Sequence, residues 1–281
     1  MESFVRVNHD SEAERFEIEP WKERWKGMTA GFTGRNGGIS QHPYDSLNMA
    51  FHVGDAPEDV IKNRERLASD VGFQLEDWTC GEQVHSSNVA IVRADDKGKG
   101  SRDRESAFQD TDGLLTNVPG VLLASYYADC VPLYFHDPVN KVVGLAHAGW
   151  KGTVASIAVR MIECMEDTYG SRREDIHTAI GPSIGSCCYE VDDRVMSHVY
   201  DLEKAILGNE QDGNCFYTTK SDGKSMLNLK EMNRQIMIKA GILPSHIECT
   251  SWCTSCSNDL FFSYRKDGGT TGRMASWIGL K

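Results

Sequence analysis

Apolar positions recur along this chain in two periods, and together they lay out a mixed α and β fold. Val154, Ile157, Ala158, Met161, Ile162 and Met165 fall at helical spacing, which predicts a helix from Gly152 to about Tyr169 with Gly170 as its cap. Asp192 to Leu207 and Leu229 to Ala240, the latter closed by Gly241, read the same way. Asp55-Ala56-Pro57-Glu58 has the form of a capping box and predicts a helix to about Asp70. Gly120 to Phe135 (GVLLASYYADCVPLYF) is too apolar and aromatic for a surface. It predicts two strand segments broken at Asp129-Cys130, because Pro132 cannot donate to a ladder. Lys141 to Ala146 reads as a buried strand, joined to the preceding one by a turn at Asp137 to Asn140. Further strands are expected at Val89–Arg93, Thr178–Ile180, Ile247–Thr250, Phe261–Tyr264 and Met274–Ile278. Strands interleave with helices throughout, so the class is α+β (mixed α/β).

Composition narrows the partners. The 281 residues suffice for a substantial core, with 40% apolar and 25% charged side chains. A formal net charge of -11 opposes binding to nucleic acid or to anionic membranes, so neither is expected as a partner. No apolar run reaches the length of a membrane span, and Met1 to Glu19 has no signal-peptide core. The nine cysteines are therefore expected to be reduced, in a cytoplasmic protein. Ala94 to Asp110, rich in charge and in Gly and Ser, is the expected mobile loop.

Candidate chemistry sits where apolar strands meet polar turns. His85 in EQVHS, Cys130 in ADCVP and His147 in LAHAGW each occupy such a boundary. A lone His or Cys is most often core or surface; these three share a setting in which a site would open. A thiolate with two imidazoles suits zinc, and three protein ligands describe a catalytic rather than a structural ion. Trp150-Lys151-Gly152-Thr153 enters a helix just after His147, and Lys151 adds charge to a candidate anion cradle; a plain capped helix with a solvated lysine is the commoner outcome. Thr33 to Ser40 (TGRNGGIS) is a glycine-rich turn whose Arg35 could fork onto a phosphate, and Asn48 follows close behind as a candidate rim residue. It is not a P-loop, and an ordinary turn is nearly as good a description. His246-Ile247-Glu248 with Cys253-x-x-Cys256 mimics a zinc-deaminase signature, but too few residues intervene and Trp252 replaces the Pro. Cys253 and Cys256, like Cys187-Cys188, are read as buried reduced thiols, since no second half of a zinc knuckle is evident.

Taken together, TGRNGGIS, YDSLNMAFHVGD, EQVHSSNV, DTDGLL, ADCVPLYFHD, GLAHAGWKGT, AIGPSIGSCCYEV and FFSYRKDGGTTGRMASWI resemble one family. It is the YfiH-type family, first catalogued as laccase-like multicopper polyphenol oxidases and later assigned to purine nucleoside phosphorolysis and adenosine deamination. The resemblance runs from about residue 30 to the C-terminus and is carried by several long motifs in order. It implies metal ligation by His85, Cys130 and His147. It also implies a single catalytic domain over 1–281 with a layered α/β/β/α arrangement of mixed sheets and an N-terminal extension at 1–28. Ser186 stands where many relatives carry Pro, a departure that touches a loop.

The residues themselves oppose the laccase label. A multicopper oxidase needs many imidazoles, commonly in His-x-His pairs, and this chain has nine His and no such pair. Zinc is the expected metal, with copper the second candidate at a His2Cys set. The activity the resemblance implies is phosphorolysis of adenosine, inosine, guanosine and S-methyl-5′-thioadenosine, with deamination of adenosine, and the partners it implies are purine nucleosides and phosphate. Asp129 is a candidate acid/base or a support for a ligand histidine, and Arg265 a further candidate for anion binding. Alternatives are a Cys130 thiolate hydrolase or amidase of cell-wall precursors activated by His147, and a non-catalytic domain with a closed structural metal.

Overall fold

The run from Gly120 to Phe135 folds into the two strands its pattern predicts, and the other layers stack on either side of them. The computed structural model describes residues 2–7, 13–207, 216–221 and 223–281. Of the expected N-terminal extension, residues 1 and 8–12 lie outside the described residues, as does Cys215. In chain order the strands are β1 (Phe4–Val7), β2 (Arg15–Ile18), β3 (Met28–Thr33), β4 (Trp78–Cys80), β5 (Val89–Ile91), β6 (Gly113–Thr116), β7 (Leu122–Tyr127) and β8 (Val131–Asp137). They continue as β9 (Val142–Ala148), β10 (His177–Ile180), β11 (Glu190–Val191), β12 (Tyr217–Thr219), β13 (Ser225–Leu227), β14 (Ile247–Cys249) and β15 (Met274–Leu280). The helices are α1 (Glu19–Arg24), α2 (Pro57–Asp70), α3 (Trp150–Val154), α4 (Ile157–Tyr169), α5 (Asp193–Leu207) and α6 (Leu229–Lys239).

One sheet has the order β1-β2-β3-β15-β7-β4 and a second the order β14-β10-β8-β9-β6-β5, with a small sheet β11-β13-β12 beside them. The pairs β4–β7, β5–β6 and β10–β14 are parallel and the others antiparallel, so both large sheets are mixed. Alternation of side chains sorts the residues into layers. Leu123 and Tyr127 of β7 meet Tyr134, Val143 and Leu145 of the second sheet in a central apolar layer. Leu122, Ala124 and Tyr126, on the opposite face of β7, pack with Leu67 and Ala68 of α2. Val131, Leu133 and Ala146 face Met161 and Ile162 of α4 and Met232 and Ile236 of α6. The order α/β/β/α follows, as the family resemblance implies.

Several local expectations change. The helix expected from Gly152 is two helices, α3 and α4, divided at Ser156, whose φ of 56° is left-handed. No capping box opens α2: Ala56 is its N-cap, and the Asp55 carboxylate instead accepts from Ala56 N and Asn48 Nδ2. Phe261–Tyr264 is not a strand, although Phe261 and Phe262 are fully buried. Pro132 lies inside β8, and its carbonyl accepts from Gly181 N at 2.9 Å. The 94–110 segment is tied to the body by Arg64 Nη1, which donates to the Gly100 and Ser101 carbonyls at 2.7 and 2.9 Å. Residues within 1–28 supply β1, β2 and α1, so this stretch contributes edge strands to the first sheet. No helix among the described residues is long and apolar enough to cross a membrane.

Candidate metal centre

The β8–β9 hairpin brings two of the three candidate ligands together. Its register sets Val131 opposite Ala148 and Pro132 opposite His147, so Cys130, one residue before β8, arrives at the end of β9 where His147 sits. His85 enters on the loop between β4 and β5. The ligand atoms of His85, Cys130 and His147 all lie within 4.8 Å of one another. His85 Nε2 is 3.9 Å from Cys130 Sγ, and the two imidazoles are 4.7 Å apart at 75°.

The backbone around them is shaped to this approach. His85 (φ 63°) and Asp129 (φ 86°) hold left-handed conformations, which His and Asp tolerate better than most residues. Each costs about 1–3 kcal/mol and persists only where the surroundings impose it. Gly149 is required for a different reason: a Cβ there would lie 2.9 Å from His85 Cδ2 and 3.0 Å from Cys130 Sγ.

Asp112 is the group that imposes the geometry. Its carboxylate accepts from the backbone N–H of Val84, His85 and Ser86 at 3.2, 3.0 and 2.7 Å, and from Ser86 Oγ at 2.8 Å. It also accepts from His147 Nδ1 at 2.8 Å. One buried carboxylate therefore folds the His85 loop and sets the His147 tautomer, which leaves His147 Nε2 free. Hydrogen bonds to a charged group contribute about 1.5–3 kcal/mol each, enough together to outweigh the strain at His85.

Charge follows from this arrangement. Burial alone would raise the Cys130 thiol, but the facing His147 and His85 imidazoles bring it down to about 6. Burial would lower His147, but the Cys130 sulfur and the Asp112 carboxylate raise it to about 9. Burial pushes Asp112 up, and its bonds to His147 and Ser86 hold it below the usual carboxylate range. The free protein thus presents a thiolate facing an imidazolium, a pair that needs only one proton removed to become two ligands. Sulfur plus two nitrogens is a donor set that fits zinc.

The set opens into a cavity of about 520 Å³. Its polar lining includes His52, Gln83, Arg265 and Arg273, and its aromatic walls are Tyr126, Trp150, Tyr189 and Tyr264. A lobe of about 370 Å³ shares His52, Gln83, His85, Tyr126 and Arg273 with it. Burial and then Arg273 push His52 down to about 4, so its ring is neutral at pH 7. Burial also lowers Arg273 from its ordinary value.

The remaining sequence candidates divide. Asp129 lines the cavity, but its oxygens accept from Thr254 Oγ1 at 2.6 Å and Arg265 N at 2.7 Å. The carboxylate bonded to a candidate ligand histidine is that of Asp112, not Asp129. Arg265 lines the cavity, with Nη1 donating to Glu190 O at 3.0 Å. Lys151 faces an adjoining pocket of about 260 Å³ shared with His85 and Cys130, from a helix of a single turn. Arg35 is turned elsewhere: Nη1 donates to Asn258 O at 2.8 Å and its guanidinium covers the Phe262 ring. Asn48 is fully buried and works indirectly, its Oδ1 accepting from Arg273 N at 2.9 Å. Arg273, His52 and Tyr189 were not singled out from the sequence; only the folded cavity distinguishes them from ordinary polar and aromatic positions.

Residues 29–281 match the model of a family described as multi-copper polyphenol oxidoreductase laccase. The chain is 45% identical over 268 residues to purine nucleoside phosphorylase YlmD of Bacillus subtilis, with 94% of each chain covered. It is 47% identical over 253 residues to purine nucleoside phosphorylase YlmD of Geobacillus stearothermophilus, with 90% of each covered. The crystal structure of YlmD from Geobacillus stearothermophilus matches it with a TM-score of 0.91 and 41% identity over 100% of both chains.

Proposed function

The chain belongs to the family described as multi-copper polyphenol oxidoreductase laccase, and on that premise we propose that it is a zinc-dependent purine nucleoside phosphorylase that also deaminates adenosine. The relatives named purine nucleoside phosphorylase support the substrate class. The observation that carries the reading is the meeting of His85, Cys130 and His147 at the wall of a cavity that also holds Arg265 and Arg273.

In phosphorolysis a phosphate oxygen bonds to ribose C1′ as the C1′–N9 bond breaks, and the purine leaves with the electron pair and takes up a proton. The products are the free base and ribose 1-phosphate, or the methylthio sugar phosphate from S-methyl-5′-thioadenosine. Arg273 and Arg265 supply the positive charge that holds a phosphate dianion inside a protein of net charge -11. Lys151 adds to it from the adjoining pocket. Tyr189 and Trp150 offer flat apolar walls to a purine, and neutral His52 offers a hydrogen-bonding edge. Asp129 holds the backbone of Arg265 in place. Asp112 keeps His147 Nδ1 protonated, so only Nε2 can be a ligand. Zinc held by His85, Cys130 and His147 would supply Lewis acidity toward a substrate oxygen, or a bound water of pKa about 7 for attack on adenine C6 with loss of ammonia.

The thiolate–imidazolium pair favours a second reading, a Cys130 nucleophile with His147 as its base in an amidase-type hydrolase. A polyphenol oxidase reading is weaker. Among the described residues, the other group able to hold a metal is built of cysteines alone, so no histidine cluster is present for a trinuclear copper centre. The test incubates purified protein with inosine, adenosine or S-methyl-5′-thioadenosine, with and without phosphate. Phosphate-dependent release of free base, lost on chelation and restored by zinc, is the expected result. Turnover that survives chelation and is abolished by thiol alkylation would replace this reading with the hydrolase.

A further inference from the structure

Two turns far apart in the chain carry four cysteines to one place. Cys187 and Cys188 lie in the turn after Ile184, closed by Cys188 N and Tyr189 N donating to Gly185 O at 3.0 Å each. Cys253 and Cys256 lie in a single helical turn, closed by Ser257 N donating to Cys253 O at 3.0 Å, which puts both side chains on one face. Thr254 N donates to Ser183 O at 3.1 Å and joins the two segments. The four sulfurs all lie within 4.8 Å of one another, with Cys256 Sγ 3.4 Å from both Cys187 Sγ and Cys188 Sγ. All four are free thiols. Sulfurs around one tetrahedral zinc at about 2.3 Å would lie about 3.8 Å apart, inside that range.

We propose that Cys187, Cys188, Cys253 and Cys256 form a second metal site, a closed four-thiolate site for one zinc ion. The sequence suggests buried thiols with no second half of a zinc knuckle; in the structure Cys187 and Cys256 are exposed, only Cys253 is buried, and each pair supplies the other's missing half, without Cys249. Binding releases one proton from each thiol and leaves the site with a net charge of two minus. Gly185 N donates to Cys253 Sγ at 3.1 Å, which stabilises that charge. The Lys230 ammonium, held on the carbonyls of Thr250 and Trp252 at 3.1 and 2.7 Å, adds a cation beside it. Four protein ligands leave no position for substrate, so the role is structural. The site would clamp Ile184 and Tyr189, Thr254 on Asp129, and Arg265, whose Nη1 reaches Glu190 O: one wall of the nucleoside cavity.

The proposal stands apart from the catalytic reading, and its test keeps them separate. Metal content is measured on the full chain, as wild type, as Cys130→Ala and as Cys187→Ser/Cys256→Ser, whose replaced residues are both exposed. Two zinc ions per wild-type chain and one in each variant are expected. Cobalt-loaded wild type and Cys130→Ala should both show the absorption of tetrahedral tetrathiolate cobalt, and the double variant should lack it. If the double variant fails to fold, alkylation of native Cys130→Ala decides: the four cysteines of this cluster should react slowly until a chelator is added. Metal-free Cys130→Ala, four freely reactive thiols, or a disulfide among them would overturn the proposal. Iron in place of zinc would overturn the assignment of the ion.

Discussion

The two cysteine-bearing clusters found among the described residues differ in donor identity and surroundings, as the proposed working site and the proposed fastening should. The cavity cluster mixes one sulfur with two imidazoles, rests on a buried carboxylate and opens on a space of about 520 Å³. The other is sulfur alone, sits on two turns with Cys187 and Cys256 exposed, and has a complete set of four donors. The first holds two left-handed backbone conformations at or beside its ligands. The second makes its turns with ordinary local hydrogen bonds. Left-handed backbone, an open cavity and a thiol lowered beside a raised imidazole gather at the cavity cluster, which is where chemistry would be expected.

The largest effect should come from breaking the asymmetry outright. Cys130→Ala is expected to take nucleoside phosphorolysis to background, at least about a thousandfold down, because the loss removes a ligand and the Lewis acid with it. Far-ultraviolet circular dichroism unchanged from wild type would show that the fold survives; wild-type turnover would remove the site from the reaction. Asp112→Asn should follow with about a 10–100-fold loss of zinc affinity at the cavity cluster, the range typical of groups that orient a ligand histidine. Isothermal titration of stripped protein measures it, and an unchanged affinity would mean that Asp112 does not set the His147 tautomer.

The pH dependence is a finer test of the same difference. Between pH 6 and 9 the Cys130 thiol is already ionised and His147 still carries its proton. Zinc binding there must displace one proton, so affinity at the cavity cluster should rise about tenfold per pH unit, levelling off above about 9 and steepening below about 6. A flat profile from pH 6 to 9 would contradict the pairing of thiolate with imidazolium. The smallest change is expected from Lys151→Ala. An exposed lysine on one turn of helix should alter KM for phosphate by about two- to fivefold, in line with a modest surface charge effect, with kcat nearly unchanged. A phosphate KM equal to wild type would assign anion binding to Arg265 and Arg273 alone.

Much of this was legible along the chain because periodicity and strand-end chemistry are local. Leu123, Tyr127 and Tyr134 alternate as a sheet requires, and His85, Cys130 and His147 stand where apolar runs meet turns. Asp112 was not legible. It falls within DTDGLL, but nothing in that run of residues gives its role, which comes from three N–H groups some 26 to 28 residues away. The same holds for the cysteine pairs, whose partners are 68 and 69 residues distant. Arg35 misled for the opposite reason: a glycine-rich loop with an arginine looks like an anion site, yet the guanidinium is spent on the Asn258 carbonyl and the Phe262 ring. Ser156 carries no Gly or Pro signal, so the break between α3 and α4 appears only once the left-handed backbone is seen.

A metal at the cavity cluster is what would make the chain a phosphorylase. The direct measurement is release of hypoxanthine from inosine and phosphate by fully stripped protein, followed as zinc is added back. No release before zinc, and a rate that rises in step with occupancy of His85, Cys130 and His147, is the predicted course. Equal release by the stripped and the loaded protein would contradict it.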